Sequence, residues 1–121
     1  MNRRIGIILL SFALTALELY AAQLTPAQAK DHVGETATVC GLVASTRYAP
    51  ASNGQPTFLN LERAYPNQIF TVVIWGRNRA KFRQPDREYD GKKICVTGRI
   101  ESYRGTPQIE ATTPTQIRLP Q

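Results

Sequence analysis

The sequence predicts an all-β fold: a five-stranded Greek-key barrel, with a short helical connector between the third and fourth strands and a short N-terminal helix. Three observations carry this. Val39-Cys40-Gly41-Leu42-Val43 and Ile94-Cys95-Val96-Thr97-Gly98-Arg99-Ile100 both alternate apolar residues around a glycine, as a strand with one buried face does. Ile69-Phe70-Thr71-Val72-Val73-Ile74-Trp75 is the most strand-prone run of the chain, because β-branched and aromatic side chains fit a pleated surface. Turn-forming residues punctuate these runs at short intervals, with only brief helical signals between them.

The first element lies outside the barrel. Arg3 and Arg4 precede an uncharged apolar run from Ile5 to Leu17, and the small residues Ala21 and Ala22 follow. This is the three-part layout of a secretory signal peptide. The run falls short of the ~20 apolar residues that cross a bilayer, and no later stretch qualifies, so no transmembrane segment is expected after cleavage. Residues 1–22 are assigned to the leader, with cleavage after Ala21 or Ala22, and residues 23–121 to a single domain. Ala27-Gln28-Ala29 is a second small-x-small site, and an anchoring N-terminal helix is the other reading of the apolar run. The expected address is exported, either periplasmic or secreted.

About a hundred residues then remain, enough for one small core. Thr25-Pro26 opens the short helix, with Thr as cap and Pro at the first helical position. The first strand follows within Gly34–Thr46, then a polar loop containing Asn53-Gly54. Thr57–Glu62 and Ile69–Trp75 form a hairpin about Pro66-Asn67. Gly76 breaks the third strand, and Asn78–Arg83 allows one or two helical turns before Pro85. Asp90-Gly91 leads into the fourth strand, and Arg104-Gly105 turns it into a fifth, Gln108–Thr112. Glycines inside the first and fourth strands are expected to mark the bends or bulges of a tightly coiled small barrel.

These are the ingredients of the OB-fold, and here a resemblance enters. Val39–Val43, Phe58-Leu59-Asn60-Leu61, Val96–Ile100 and Tyr103-Arg104-Gly105-Thr106-Pro107-Gln108-Ile109 resemble the nucleic-acid-binding OB-folds of class II aminoacyl-tRNA synthetase anticodon-binding domains and related DNA-binding modules. The resemblance runs from Val33 to Leu119. The chain is also similar to small exported bacterial proteins that carry this domain alone, and it differs from the synthetases in having no catalytic domain. The resemblance implies a ligand face on the second and third strands and the loops beside them.

Cys40 and Cys95 both fall opposite the apolar face of their strands. If those strands are neighbours and the Cα atoms approach to roughly 5.5–6 Å, the two can bridge. Export favours a structural disulfide over a metal pair, with free thiols as the alternative. Closing such a loop adds roughly 3 to 4 kcal/mol on the chain-entropy model.

On the ligand face, alternation turns Phe70, Val72 and Ile74 inward and Thr71, Val73 and Trp75 outward. Leu59 and Leu61 point inward, and Phe58 and Asn60 outward. Phe58 and Trp75 are candidate base-stacking platforms, with Tyr48 and Tyr103 at the loops and Arg104 beside them; core packing is the other use of such aromatics. The chain carries a formal net charge of +6. Arg77, Arg79, Lys81 and Arg83 cluster after the third strand as a basic ridge suited to phosphate contacts, or as a plain solvated face.

Single-stranded DNA or RNA is therefore the expected partner, with other polyanions next. The alternative is an envelope barrel that holds a peptide, glycan or protein. Catalysis is not expected. His32 is the only histidine, no Gly-x-Ser-x-Gly elbow occurs, and with both cysteines bridged a zinc site would lack ligands. No cofactor or metal is expected.

Overall fold

In the computed structural model, which describes residues 22–120, the chain runs through seven strands and four short helical elements. In order they are β1 (Gln23–Leu24), a 3-10 turn (Pro26–Asp31), β2 (Thr36–Tyr48), β3 (Thr57–Leu61), β4 (Phe70–Ile74) and α1 (Gly76–Phe82). There follow α2 (Pro85–Glu88), β5 (Lys93–Tyr103), β6 (Thr106–Glu110), a second 3-10 turn (Pro114–Gln116) and β7 (Ile117–Arg118). The leader assigned to residues 1–22 lies outside the described residues except for Ala22.

Five strands close on themselves. β2 pairs with β3, β3 with β4, β4 in parallel with β6, β6 with β5, and β5 back with β2. This ring is the predicted Greek-key barrel. Two short strands were not foreseen: β1 joins β2 in parallel and β7 joins β5. Each is two residues long, too short to show an alternation.

The inward set follows the period-two rule. Val39, Leu59, Leu61, Phe70, Val72, Ile74, Ile94, Ile100 and Ile109 are all fully buried, each contributing about 1.5–3 kcal/mol through removal from water. The outward set of β2 includes Cys40, which stands opposite Cys95 of β5 and is bonded to it. The Cα atoms lie 4.0 Å apart, closer than expected. The cause is register. The Thr38 N–H donates to the Ala22 carbonyl at 2.9 Å, away from β5, so by alternation Cys40–Cys95 is a non-hydrogen-bonded pair, the closer kind. On the same face Thr38 Oγ1 and Thr97 Oγ1 are hydrogen-bonded at 2.6 Å.

The bulge lies elsewhere than the glycines predicted. It is at Ala44, between the registers Val43↔Leu61 and Ser45↔Asn60. Gly41 and Gly98 serve close packing instead. A Cβ at Gly41 would sit 2.6 Å from Pro26 Cγ, and one at Gly98 would sit 2.7 Å from Ile109 Cγ2. Pro26 reaches that position because its turn is capped on both sides: the Gln28 N–H donates to Thr25 Oγ1, and the Thr25 N–H donates to Gln28 Oε1 at 2.9 Å. At the second turn one half of this box recurs: the Thr113 N–H donates to Gln116 Oε1 at 3.1 Å.

The helical connector is two pieces. Pro85 does not merely stop α1; it occupies the first turn of α2, where its missing N–H costs nothing. Phe82, Pro85 and Tyr89 are buried beneath this cap. Burial first, and the charge of Glu88 second, raise the pKa of Tyr89 above the ordinary phenol value.

Candidate nucleic-acid interface

The outer face of the β3–β4 ladder carries a row of polar side chains fixed by register. Ser45 of β2 stands opposite Asn60 of β3, Asn60 opposite Thr71 of β4, and Thr71 opposite Gln108 of β6. Asn60 and Thr71 are buried at 3% and 6% exposure, so the row forms a floor. Ser45 ties it to one wall: its Oγ accepts from Asn60 Nδ2 and from the backbone N–H of Tyr65, both at 3.1 Å. The Ala44 bulge precedes Ser45 and sets the facing of the rest of β2, which places Arg47 outward beside Phe58.

The walls rise from two turns. Tyr65 projects from the β3–β4 loop, exposed at 67%, and Tyr103 from the end of β5, exposed at 57%. Tyr103 pairs with Thr106 across a two-residue turn in which Arg104 and Gly105 both have positive φ, 49° and 83°. Two positive φ values in sequence are the signature of the type I′ hairpin, which the predicted Arg-Gly pair suits. The Arg104 guanidinium lies 5.3 Å from the centroid of the Tyr103 ring.

Together these residues enclose a groove of about 600 Å³. Its charged lining is Arg47 and Arg104; no carboxylate, histidine or cysteine lines it. Phe58, Tyr65 and Tyr103 supply aromatic surface, and Asn60, Gln68 and Gln108 supply carboxamides. No group of three His, Cys, Asp or Glu that could hold a metal occurs among the described residues.

Of the residues proposed from sequence, Phe58, Asn60, Thr71, Tyr103 and Arg104 meet in this groove. The others do not join them. Tyr48 lies beneath the Arg79 guanidinium, 3.6 Å from ring centroid to Cζ. Arg79 also donates to Thr57 Oγ1 at 2.7 Å and to Asp86 Oδ1 at 2.8 Å. Tyr48 and Thr57 alternate with Arg47 and Phe58 along their strands, so this cluster sits on the other side of the hairpin from the groove. Trp75 caps α1 and packs against the β2–β3 loop: a Cβ at Gly54 would lie 2.9 Å from its ring.

The basic ridge is dispersed for a similar reason. Arg77 is exposed on α1, Lys81 donates to Asn78 Oδ1 at 3.3 Å, and Arg83 ends the helix at φ +65°. None of the three lines the groove. Sequence reasoning missed Arg47, Tyr65, Gln68 and Gln108. Strict alternation from Val43 turns Arg47 inward, and only the Ala44 bulge reverses it. Gln108 opens the predicted fifth strand, where it alternates with Ile109, without being assigned to the ligand face. Tyr65 and Gln68 sit in a loop, where alternation gives no facing.

No protein-family model matches the chain, and no curated protein matches it in sequence. Among solved structures it is similar to a protein from Leishmania major Friedlin provisionally described as an aspartyl-tRNA synthetase, with TM-score 0.54 and 9% identity over 88% of this chain. The fold is an OB-fold. The chain spans 22% of that synthetase's length. It is also similar to OBody AM1L10 bound to hen egg-white lysozyme, with TM-score 0.50 and 16% identity over 76% of this chain and 84% of that one. A third overlap, TM-score 0.45 and 12% identity over 79% of each chain, is with a provisionally described nucleic acid-binding lipoprotein from Klebsiella pneumoniae subsp. pneumoniae MGH 78578. At these identities the likeness is one of fold.

Proposed function

We propose that this protein binds single-stranded nucleic acid in the groove over β3 and β4. One observation carries the reading: on the face where OB-folds hold oligonucleotides, this chain lines a groove with three aromatic rings, two arginines and a carboxamide-bearing floor, its carboxylates Glu101 and Glu110 standing outside that lining, opposite Gln108 and Val73. Rings stack on any base, for about 1–3 kcal/mol each. Arginines attract the phosphate backbone, and an acid-free lining removes the repulsion that a polyanion would otherwise meet. The exposed cations of α1 add general attraction rather than direct contacts.

Binding without catalysis is part of this proposal. The Cys40–Cys95 bridge supports an oxidising, exported setting, because such bonds persist there and are rare in reducing cytoplasm. The second reading is an exported barrel that holds a peptide, glycan or protein. It draws support from the similarity in fold to OBody AM1L10, which was solved bound to lysozyme.

Fluorescence anisotropy of labelled single-stranded DNA and RNA against the oxidised protein, at two salt concentrations and with dextran sulfate as competitor, separates the readings. The expected result is binding that dextran sulfate displaces poorly and that weakens with salt, with a logarithmic slope near −0.7 per phosphate contacted. Absent binding, or binding no better than to dextran sulfate, would favour the second reading.

A further inference from the structure

The outer face of the β2–β5 seam belongs to neither the core nor the groove. In the ring order β2–β3–β4–β6–β5 it lies across the barrel from β4. Register turns Leu42, Lys93 and Arg99 outward on it, and β7 sets Arg118 beside Cys95. All four are exposed, Leu42 at 45%. The middle of the face is neutral and already satisfied, since Cys40 is bridged to Cys95 and the Thr38 and Thr97 hydroxyls bond each other. No carboxylate stands on it. Along the strands acids occur only past its ends, Glu35 and Glu101 beyond the Thr36↔Arg99 pair and Asp90 before Lys93. The salt bridges among the described residues are His32–Glu35 and Arg79–Asp86, so none of these three cations is neutralised by one.

From this we infer that the β2–β5 face docks on an anionic bilayer surface, with Lys93, Arg99 and Arg118 on the headgroups and Leu42 between them. The inference stands apart from the nucleic-acid reading. Three observations select a bilayer. The face carries no aromatic ring, so it offers single strands no stacking platform. Its exposed leucine beside unpaired cations combines the two attractions of interfacial binding, apolar burial and charge against anionic lipid. The chain also enters the fold at the edge of this face. The Ala22 carbonyl accepts from the Thr38 N–H, and the apolar run Ile5–Leu17 ends five residues earlier. Five residues span at most about 18 Å. While that run is attached and held by a bilayer, the face stays near the headgroups and the groove, across the barrel, stays open to ligand.

The test is co-sedimentation of the oxidised protein with vesicles of mixed phosphatidylglycerol and phosphatidylcholine, and of phosphatidylcholine alone. Salt is held at about 0.1 M, where charges more than about 10 Å from the surface are screened. Any contribution of Ile5–Leu17 is common to every variant and cancels in the comparison. The wild-type protein should prefer the anionic vesicles. Lys93→Gln with Arg99→Gln and Arg118→Gln should weaken that binding by about a hundred-fold, near five-fold for each cation. Arg77→Gln with Lys81→Gln and Arg87→Gln removes the same charge from α1 and α2 and should weaken it by less than about five-fold. Leu42→Asn should weaken vesicle binding by roughly five-fold and leave binding of dextran sulfate unchanged. No preference for the anionic vesicles would overturn the inference, and so would equal losses in the two triple variants. Vesicle binding that Leu42→Asn leaves untouched would overturn it too, by making this a face for any polyanion. A lipid preference lost instead with Arg47→Ala and Arg104→Ala would move the contact to the groove and overturn it as well.

Discussion

Two regions of this barrel each join arginine to an aromatic ring, and they differ in what surrounds the pair. In the end cap, Arg79 stacks on Tyr48, donates to Thr57 and is salt-bridged to Asp86. Its charge is consumed inside the fold. In the groove, Arg104 lies over the Tyr103 ring at the tip of a hairpin and Arg47 stands beside Phe58, with no acid among the lining residues. Residue type alone does not mark a binding site. What marks it is whether the charge already has a partner.

The largest test addresses the tie that both regions share. Replacing Cys40 and Cys95 with serine opens a bridge across 55 residues and should cost about 4 kcal/mol of stability on the chain-entropy model, measured by urea unfolding. At low temperature, where the variant remains folded, the salt dependence of binding should not change. Arg79→Ala comes next, with a loss of about 2–3 kcal/mol as Asp86 and Thr57 lose a charged, part-buried partner and no change in affinity. A fall in affinity without a fall in stability would break the contrast between the regions.

Phe58→Ala should do the reverse, weakening single-strand binding by about 1–3 kcal/mol in anisotropy titrations and shifting the unfolding midpoint little. Arg47→Ala with Arg104→Ala should make the logarithmic salt slope shallower by about 0.7 per arginine, whereas Arg77→Ala with Lys81→Ala should leave it unchanged. The smallest effect is alkaline. Because folding raises the Tyr89 pKa, the native state holds that proton more tightly than the unfolded chain. Stability linked to it is complete below the ordinary phenol pKa near 10 and declines as pH climbs through the raised folded value. Tyr89→Phe should flatten that decline in urea unfolding at alkaline pH.

How far the sequence reached follows from the same contrast. Barrel strands, the Arg-Gly turn and the facing of Phe58, Asn60 and Thr71 were legible because alternation is local and its period is two. The fate of Arg79 was not, since its partners Thr57 and Asp86 sit 22 and 7 residues away and only the closed barrel brings them together. Trp75 follows the same logic: outward by alternation, it is overlaid by Gly54 from a loop whose path no periodicity predicts. Arg47 depended on the Ala44 bulge, which no glycine announced.

The parallel pairing of β4 with β6 sets an order in time as well as in space. The groove floor runs from Ser45 through Asn60 and Thr71 to Gln108, and its last member is made after all the others. A growing chain that stops before β6 has the hairpin, its stacking ring and Arg104, but lacks one side of the floor and the strand that pairs with Tyr103. The groove is thus a property that fragments do not share by degrees: a product cut before β6 would have no closed floor.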